Sequence, residues 1–276
     1  MASSGSAVVL GGGGVVGTAW LVGLAAGLRR AGVDLDSADL IIGTSAGSIA
    51  GTIIRSGADL DAFATGPSGE HAAPDLAQRD LRAMAEMGRL RADPELDPLE
   101  ARRRIGTLAA ALADGGAEHL EQIRWYVRTS VWPQRLWITG LDIESGELVT
   151  WDDASDAPLL AAVAASCAVP TVFAPVVVNG RRYMDGGMSS PTNADLAVGF
   201  ERLIVIEPLA HAVPREPLHR EIAAVGAAQV VTIGPNGPAR AAYGTDLLSR
   251  TAWEPTYRAG VDQASEVIDE IGKALG

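Results

Sequence analysis

The sequence is poor in the residues that form disulfides and metal sites. Cys167 is the single cysteine in 276 residues, so a disulfide within this chain and a cysteine-based zinc site are both excluded. Four histidines, His71, His119, His211 and His219, are scattered without an HExxH-type spacing. We therefore expect no metal, no cofactor and a reducing, cytoplasmic setting.

Positive charge is scarce as well. Lysine and arginine together number 22 against 34 acidic residues, which gives a formal net charge of −12. This balance disfavours nucleic acid as a partner, and it disfavours strong electrostatic docking on anionic lipid, because both are negatively charged. An apolar groove can still bind acyl chains without net positive charge, so we retain transient contact with a membrane surface.

The hydrophobic pattern of the sequence predicts no long, uninterrupted apolar helix. Residues 7–28 and 157–178 are uncharged over a length that could span a bilayer. The first contains Gly11 to Gly14 and the second contains three prolines, so we expect buried strand–loop–helix segments and no transmembrane helix. The opening residues Met1 to Ser4 also lack the basic start of a signal peptide.

What the sequence does contain is a repeated strand–turn–helix pattern. An apolar strand at 7–10 precedes a glycine run and a helix at 15–31, and a strand at 40–42 precedes a helix ending near Arg55. Further strands are predicted at 136–143, 147–151, 174–178, 181–184, 203–206 and 230–233, and further helices at 158–166 and 256–275. This alternation predicts a single α/β domain over residues 1–276, with a sheet covered on both faces.

Residues 58–130 form a helical insertion, or cap-like region, within this domain. Apolar spacing predicts helices at 75–91 and 97–113, and glycines and prolines predict a mobile loop at 64–74. Five side chains are candidates for an acyl-chain wall, although simple packing on the sheet is the favoured interpretation: Met84, Met87, Leu90, Trp125 and Trp132. Three other tryptophans are expected in the core: Trp20, Trp137 and Trp151.

The run Gly43-Thr44-Ser45-Ala46-Gly47 matches the GxSxG pattern of a nucleophile elbow. Bulky side chains two residues before or after the serine would clash in so tight a turn, and Gly43 and Gly47 remove that clash. The helix that follows directs its N-terminus toward the oxyanion formed in acyl transfer. The alternative is a glycine-rich turn with Ser45 as a helix N-cap, but the position between an apolar strand and a helix favours the elbow.

The earlier run Gly12-Gly13-Gly14-Val15-Val16-Gly17 has two functional interpretations. Backbone N–H groups at the helix start can form an oxyanion hole. The same run satisfies the dinucleotide pattern GxGxxG at Gly12, Gly14 and Gly17, with Asp34 or Asp36 near the position of the ribose-binding acid. A nucleotide site does not need the second glycine turn around Ser45, whereas a hydrolase needs both. A third, purely structural interpretation is close packing of strand and helix.

The run Asp185-Gly186-Gly187 stands at the end of a predicted hairpin that turns at Asn179-Gly180. A carboxylate there is held rigidly while the glycines leave space around it, although Asp-Gly is also a common turn pair. No histidine has an evident context beside a strand end, so each is expected at the surface. A Ser–Asp pair is chemically feasible, and burial would help by raising the pKa of the aspartate.

Taken in order, these three blocks resemble the patatin-like phospholipases over most of residues 7–206, together with the intervening runs 165–170 and 173–176. The resemblance implies a three-layer α/β/α fold with a mostly parallel sheet, and hydrolysis of acyl esters, typically of lipids. It implies Ser45 as nucleophile, Asp185 as base without a histidine, and an oxyanion hole from the amides of Gly12, Gly13 and Gly14.

One departure concerns Val16, where the family often has arginine or lysine, and this weakens the expectation of a phospholipid substrate. Two alternatives to the hydrolase remain. One is a nucleotide-binding module that uses the Gly12–Gly17 loop, and the other is a catalytically silent binding protein with the same fold.

Overall fold

The computed structural model describes residues 3–67, 81–111 and 116–276, which form an eight-stranded sheet with helices on both faces. The strands are β1 (Ser3–Leu10), β2 (Leu40–Gly43), β3 (Leu136–Asp142), β4 (Leu148–Trp151), β5 (Val176–Val178), β6 (Arg181–Asp185), β7 (Phe200–Ile206) and β8 (Gln229–Ile233). The helices are α1 (Gly14–Arg30), α2 (Ala46–Arg55), α3 (Leu81–Ala92), α4 (Pro98–Ala110), α5 (Gly116–Arg124), α6 (Leu159–Ser166), α7 (Glu216–Val225), α8 (Gly237–Tyr243) and α9 (Trp253–Leu275).

The sheet has the order β5-β6-β3-β2-β1-β7-β8, with β4 paired to β3. Strands β3, β2, β1, β7 and β8 are parallel, and β4, β5 and β6 pair in antiparallel fashion. The central strands are apolar on both faces, as parallel strands between two helical layers must be. This confirms the predicted three-layer α/β/α fold with a mostly parallel sheet.

Alternate side chains of β1 enter two different hydrophobic cores. Val8 and Leu10 face the larger core, which includes residues of α1, α2, α6 and α9. Ala7 and Val9 face a second core under α7 and the short 194–197 turn, and a third cluster joins α3 and α4 to β3 and β6. The period of two residues in the strand therefore divides the helices between the two faces.

Strands β2 and β6 meet on one side of β3. Ile138 of β3 pairs with Gly43 of β2 on one side and with β4 on the other. Further along β3, Gly140 pairs with Asp185 of β6 and again with β4. Since β4 occupies one side throughout, β2 and β6 share the opposite side. One runs parallel and the other antiparallel to β3, so their carboxyl ends face each other.

The predicted elements differ from the observed ones mainly at their ends. The helices predicted at 75–91 and 97–113 correspond to α3 and α4, although 68–80 and 112–115 lie outside the described residues, as does most of the predicted 64–74 loop. Helices α5, α7 and α8 were not predicted. Among the residues that the structure describes, no helix is long and apolar enough to cross a bilayer.

Two of the three tryptophans expected in the core are buried, and the third is only half-buried. Trp20 and Trp151 are buried. Trp137 packs against the second core but keeps part of its surface exposed.

Candidate active site

Ser45 occupies a strained turn between β2 and α2. Its backbone has φ 54° and ψ −118°, a region that non-glycine residues rarely occupy and that costs on the order of 1–3 kcal/mol. A Cβ on Gly43 would lie 2.6 Å from the carbonyl oxygen of Gly47, and a Cβ on Gly47 would lie within 1.9 Å of the carbonyl oxygen of Leu10. A side chain at either glycine would therefore displace neighbouring backbone in this turn.

Side chains at the end of α6 and in α2 hold the backbone of Ser45 in this conformation. The Ser45 amide donates to Oγ of Ser166 over 2.9 Å. Its carbonyl accepts from Oγ of Ser48 over 2.7 Å and from Sγ of Cys167 over 3.3 Å. Three side-chain contacts thus offset the strain and leave the Ser45 hydroxyl free for another partner.

The carboxylate of Asp185 lies near the Ser45 side chain, since Ser45 is among the groups that lower the pKa of Asp185. Asp185 also accepts from the amide of Gly187 over 2.7 Å, and its own amide donates to the carbonyl of Ala168 over 2.9 Å. A Cβ on Gly186 would lie 2.4 Å from Oγ1 of Thr139. The structure therefore brings together the two residues proposed as nucleophile and base, which are 140 positions apart.

The carboxyl group of Asp185 has a raised pKa. Burial raises it to about 6, against the opposing effects of the Ser45 side chain, of the hydrogen bond from the Gly187 amide and of the positive charge of Arg91. Asp185 is only 2% exposed. A carboxylate with a pKa near 6 is a stronger base than ordinary aspartate and still ionises at neutral pH.

A buried amide links the serine turn to the aspartate turn. Nδ2 of Asn193 donates to Oγ1 of Thr44 over 3.1 Å and to the carbonyl of Ser190 over 2.9 Å, with a longer contact of 3.4 Å to the carbonyl of Gly186. Oγ1 of Thr44 in turn contacts Oγ1 of Thr139 at 2.9 Å. No sequence pattern predicted this role, since Asn193 follows the third block without any pattern of its own.

The glycine loop lies beside Ser45, but its amides are not equivalent. A Cβ on Gly12 would be 3.4 Å from Cβ of Ser45, so the loop passes close to the hydroxyl. The Gly12 amide, however, donates to the carbonyl of Pro191 over 2.8 Å. Because the Gly12 amide already donates to Pro191, it is poorly placed to donate to an oxyanion. Of the three amides expected to form the oxyanion hole, those of Gly13 and Gly14 remain as candidates. Gly17 supports the loop by packing against Pro208.

The contacts of this loop speak against dinucleotide binding. The carbonyl of Leu247 accepts from the amide of Val16 and lies where a Cβ on Gly14 would be, so another segment covers the helix start that a pyrophosphate would need. Asp34 is paired with Arg29, and Asp36 is paired with Arg55. Neither carboxylate is left as a free ribose acceptor.

An apolar pocket of about 60 Å³ opens at Ser45. Its walls come from α1, α2, α5, the end of α6 and the segment before α9. The apolar residues that line it are Val15, Ala46, Ile49, Ile123, Val169, Phe173 and Leu248. This volume has room for about five water molecules, which is the scale of a short acyl group.

None of the five side chains considered for an acyl-chain wall lines this pocket. Met87 and Leu90 pack against the third cluster on the other face of the sheet, and Trp125 and Trp132 pack against the main core. The packing interpretation was therefore the correct one for these four. The 58–130 region reaches the pocket instead through α5 and the residue Tyr126 that follows it.

His119 was predicted at the surface, and this was wrong. It is 2% exposed, lines the pocket and stacks on Phe173 with ring centroids 4.2 Å apart. Its Nε2 bonds the carbonyl of Ala164 at 2.9 Å, and burial lowers its pKa to about 4. His119 is therefore a neutral wall residue at physiological pH. His211 and His219 are exposed as expected, and His71 lies outside the described residues.

The described strands and helices define this protein as a three-layer α/β/α protein with a mostly parallel sheet. Its sequence matches a family model described as patatin-like phospholipase over residues 8–198. The chain belongs to that family.

Curated relatives extend the same comparison. Uncharacterized NTE family proteins of Mycobacterium bovis and Mycobacterium tuberculosis are 31% identical to this chain over 205 residues. The aligned part is 70% of this chain but only 47% of each relative, so the chain spans about half the length of these proteins.

Two solved structures are similar to the chain at a low level. VipD from Legionella pneumophila gives a TM-score of 0.46 at 13% identity, covering 97% of this chain and 67% of that one. The type III effector protein ExoU gives 0.40 at 16% identity, covering 97% of this chain and 53% of that one. Neither score reaches the level at which we would draw on those structures for the site.

Proposed function

We propose that this protein is a serine acyl hydrolase that cleaves carboxylic esters of lipids, with Ser45 as nucleophile and Asp185 as general base. The observation that carries the proposal is the position of the strained Ser45 turn beside a buried carboxylate, that of Asp185, whose pKa burial raises to about 6. The position of Ser45 at the opening of an apolar pocket supports an acyl ester as the substrate.

The proposed reaction has two halves. As Oγ of Ser45 attacks the ester carbonyl, Asp185 accepts its proton, and the N–H groups of Gly13 and Gly14 donate to the oxyanion. Collapse of the tetrahedral intermediate breaks the ester bond, and Asp185 returns the proton to the departing alkoxide. Water then attacks the acyl-serine with Asp185 again accepting a proton, which releases the acid and restores the hydroxyl.

The pocket supports a preference for short acyl groups in the state described. A volume of about 60 Å³ accepts a chain of a few carbons without movement of the walls. A long chain would require displacement of the ring pair His119–Phe173 or of the segment around Leu248.

Hydrolysis of p-nitrophenyl esters of increasing acyl length tests this proposal. We expect activity on short esters in the wild type and a loss of at least about a thousandfold in kcat in Ser45→Ala and Asp185→Asn. Ser265→Ala is the matched control, since Ser265 is exposed on α9, and it should be as active as the wild type. Full activity in Ser45→Ala would refute the proposal.

A further inference from the structure

Arg250 brings a positive charge to the pocket that contains Ser45. It precedes the N-cap of α9, Ala252, and lies beyond the 8–198 region that the family model matches. Its side chain lines the pocket together with Ser45, Gly14 and Val15. The position of this charge therefore comes from this chain's own C-terminal part.

Two of the three guanidinium nitrogens of Arg250 lack hydrogen-bond partners among the described residues. Its Nε and Nη1 are buried and make no hydrogen bond within the described residues. Arg55 shows the ordinary arrangement, because its terminal nitrogens reach the carboxylate of Asp36 and the carbonyls of Asp36 and Ala38. Arg250 is half-buried, and removing two of its nitrogens from water without such contacts is unfavourable.

The secondary structure around Arg250 does not stabilise its positive charge. It lies just before the N-terminus of the 23-residue helix α9, where the helix dipole disfavours positive charge. Among the neighbours of Arg250, the phenol of Tyr126 has the largest effect on its pKa. Burial raises the pKa of Tyr126, so this phenol is neutral and does not balance the positive charge. An anion bound in the pocket would supply the acceptor that these nitrogens of Arg250 lack.

We propose that Arg250 is a specificity-determining residue that binds an anionic group carried by the substrate close to the scissile ester. This inference rests on the proposed function. The favoured substrates are acyl esters with a phosphate or carboxylate within a few atoms of the ester carbonyl. A guanidinium offers paired donors that match the oxygens of either group, and the nearby N-terminus of α1 adds a favourable field.

The overall charge of the protein makes such a local cation necessary for selectivity. A net charge of −12 repels anionic substrates at long range. A single guanidinium inside a mostly apolar pocket acts at short range, where water screens it less. Arg250 therefore affects the bound ester more than the rate of encounter, and its effect should appear mainly in KM.

Matched pairs of esters test the inference. One pair is p-nitrophenyl butyrate and mono-p-nitrophenyl succinate, which places a carboxylate on the acyl side. The other pair is dihexanoylglycerol and dihexanoyl phosphatidic acid, which places a phosphate on the alcohol side. In Arg250→Gln we expect kcat/KM to fall about tenfold or more for the anionic member of at least one pair. The neutral members should change by less than about twofold.

Two further variants separate charge from shape. Arg250→Lys should recover part of the preference for the anionic ester, because it keeps the charge without the paired donors. Arg240→Gln removes an exposed arginine on α8 and should leave the preference unchanged. Equal losses on neutral and anionic esters in Arg250→Gln, or a wild-type enzyme that prefers both neutral esters, would overturn the inference.

A binding measurement tests the role of Arg250 independently of whether the protein hydrolyses esters. If the wild type hydrolyses none of the esters, the proposed function fails, and thermal stabilisation by dihexanoyl phosphatidic acid and by inorganic phosphate decides the role of Arg250. Stabilisation by the lipid that is lost in Arg250→Gln supports the anion subsite. Equal stabilisation of both proteins, or a response to inorganic phosphate as strong as that to the lipid, contradicts a substrate subsite.

Discussion

At the residue scale, the site combines a strained serine with a destabilised carboxylate. Ser45 keeps an unfavourable backbone conformation, and Asp185 is ionised at neutral pH in a place where burial raises its pKa. Both features reduce the stability of the folded chain, and both prepare the pair for proton transfer. Each therefore predicts that a variant lacking the feature will be more stable and less active.

The strain at Ser45 predicts a difference between two inactive variants. Glycine adopts this backbone conformation freely, whereas alanine keeps the strain. We expect Ser45→Gly to be more stable than Ser45→Ala by about 1 kcal/mol, after the greater flexibility of glycine in the unfolded chain is subtracted. Urea denaturation of the two proteins measures this difference. Equal or reversed stabilities would show that the turn is not strained.

The buried carboxyl of Asp185 predicts a pH-dependent stability difference. In the unfolded chain the group ionises near 3.8 and in the folded chain near 6, so the folded state loses stability as the pH rises between these values. Asp185→Asn removes that loss, which is at most about 3 kcal/mol. We expect the variant to be more stable than the wild type at about pH 8 and equal to it at about pH 4.

Denaturation midpoints of both proteins at the two pH values check this prediction. A difference that is the same at both values would mean that the substitution acts through packing or hydrogen bonding. In that case the raised pKa of Asp185 would not be the source of the effect.

At the element scale, the site depends on how helices are held against the sheet. Helices α1 and α9 approach closely through glycines on both sides, since a Cβ on Gly23 would lie 2.1 Å from the carbonyl of Tyr257 and one on Gly260 would lie 2.4 Å from that of Trp20. The N-terminus of α1 carries the glycine loop, and Arg250 precedes α9. This contact therefore supports two parts of the site.

Alanine substitutions in this contact should be costly. We expect Gly260→Ala to destabilise the protein by at least about 2 kcal/mol, because the added methyl group would displace backbone. Gly88→Ala is the control, since nothing lies within 4 Å of its added Cβ and it stands in helix α3. The control should be neutral or slightly more stable. A tolerated Gly260→Ala would contradict the close approach.

Helix α3 contributes charge to the site through Arg91. Its positive charge lowers the pKa of Asp185 against the effect of burial. We expect Arg91→Gln to raise that pKa and to move the acidic limb of the kcat/KM profile to higher pH. Arg89→Gln removes an exposed arginine of the same helix that pairs with Glu86 and should leave the profile unchanged. Identical pH profiles of kcat/KM in the wild type and in both variants would show that Arg91 does not affect the pKa of Asp185.

The helices and strands that could be predicted are those whose pattern lies within one short stretch of the sequence. The strand–turn–helix units at Ser45 and at the glycine loop were predicted because apolar runs and glycines stand next to each other in the chain. The burial of His119 was missed because it depends on Phe173, which is distant in sequence and reaches it only through the packing of α5 on α6. Helices α7 and α8, of 10 and 7 residues, were also missed.

At the scale of the whole molecule, the site is a consequence of sheet topology. Strands β2 and β6 end opposite each other on the same side of β3, and this arrangement brings Asp185 to Ser45. The three motif blocks predicted which residues belong together. The register among three separate strands, and the Asn193 contacts that link the two turns, could not be predicted, because no local pattern encodes them.

The rate at which a fluorophosphonate probe labels Ser45, measured against pH in the wild type and in Asp185→Asn, tests the central claim most directly. Our account predicts that the label maps to the Ser45 peptide and that its rate rises with a midpoint near pH 6, where Asp185 ionises. The variant should be labelled slowly and without this midpoint. Labelling of another residue, persistence of labelling in Ser45→Ala, or an unchanged pH profile in Asp185→Asn would contradict the account.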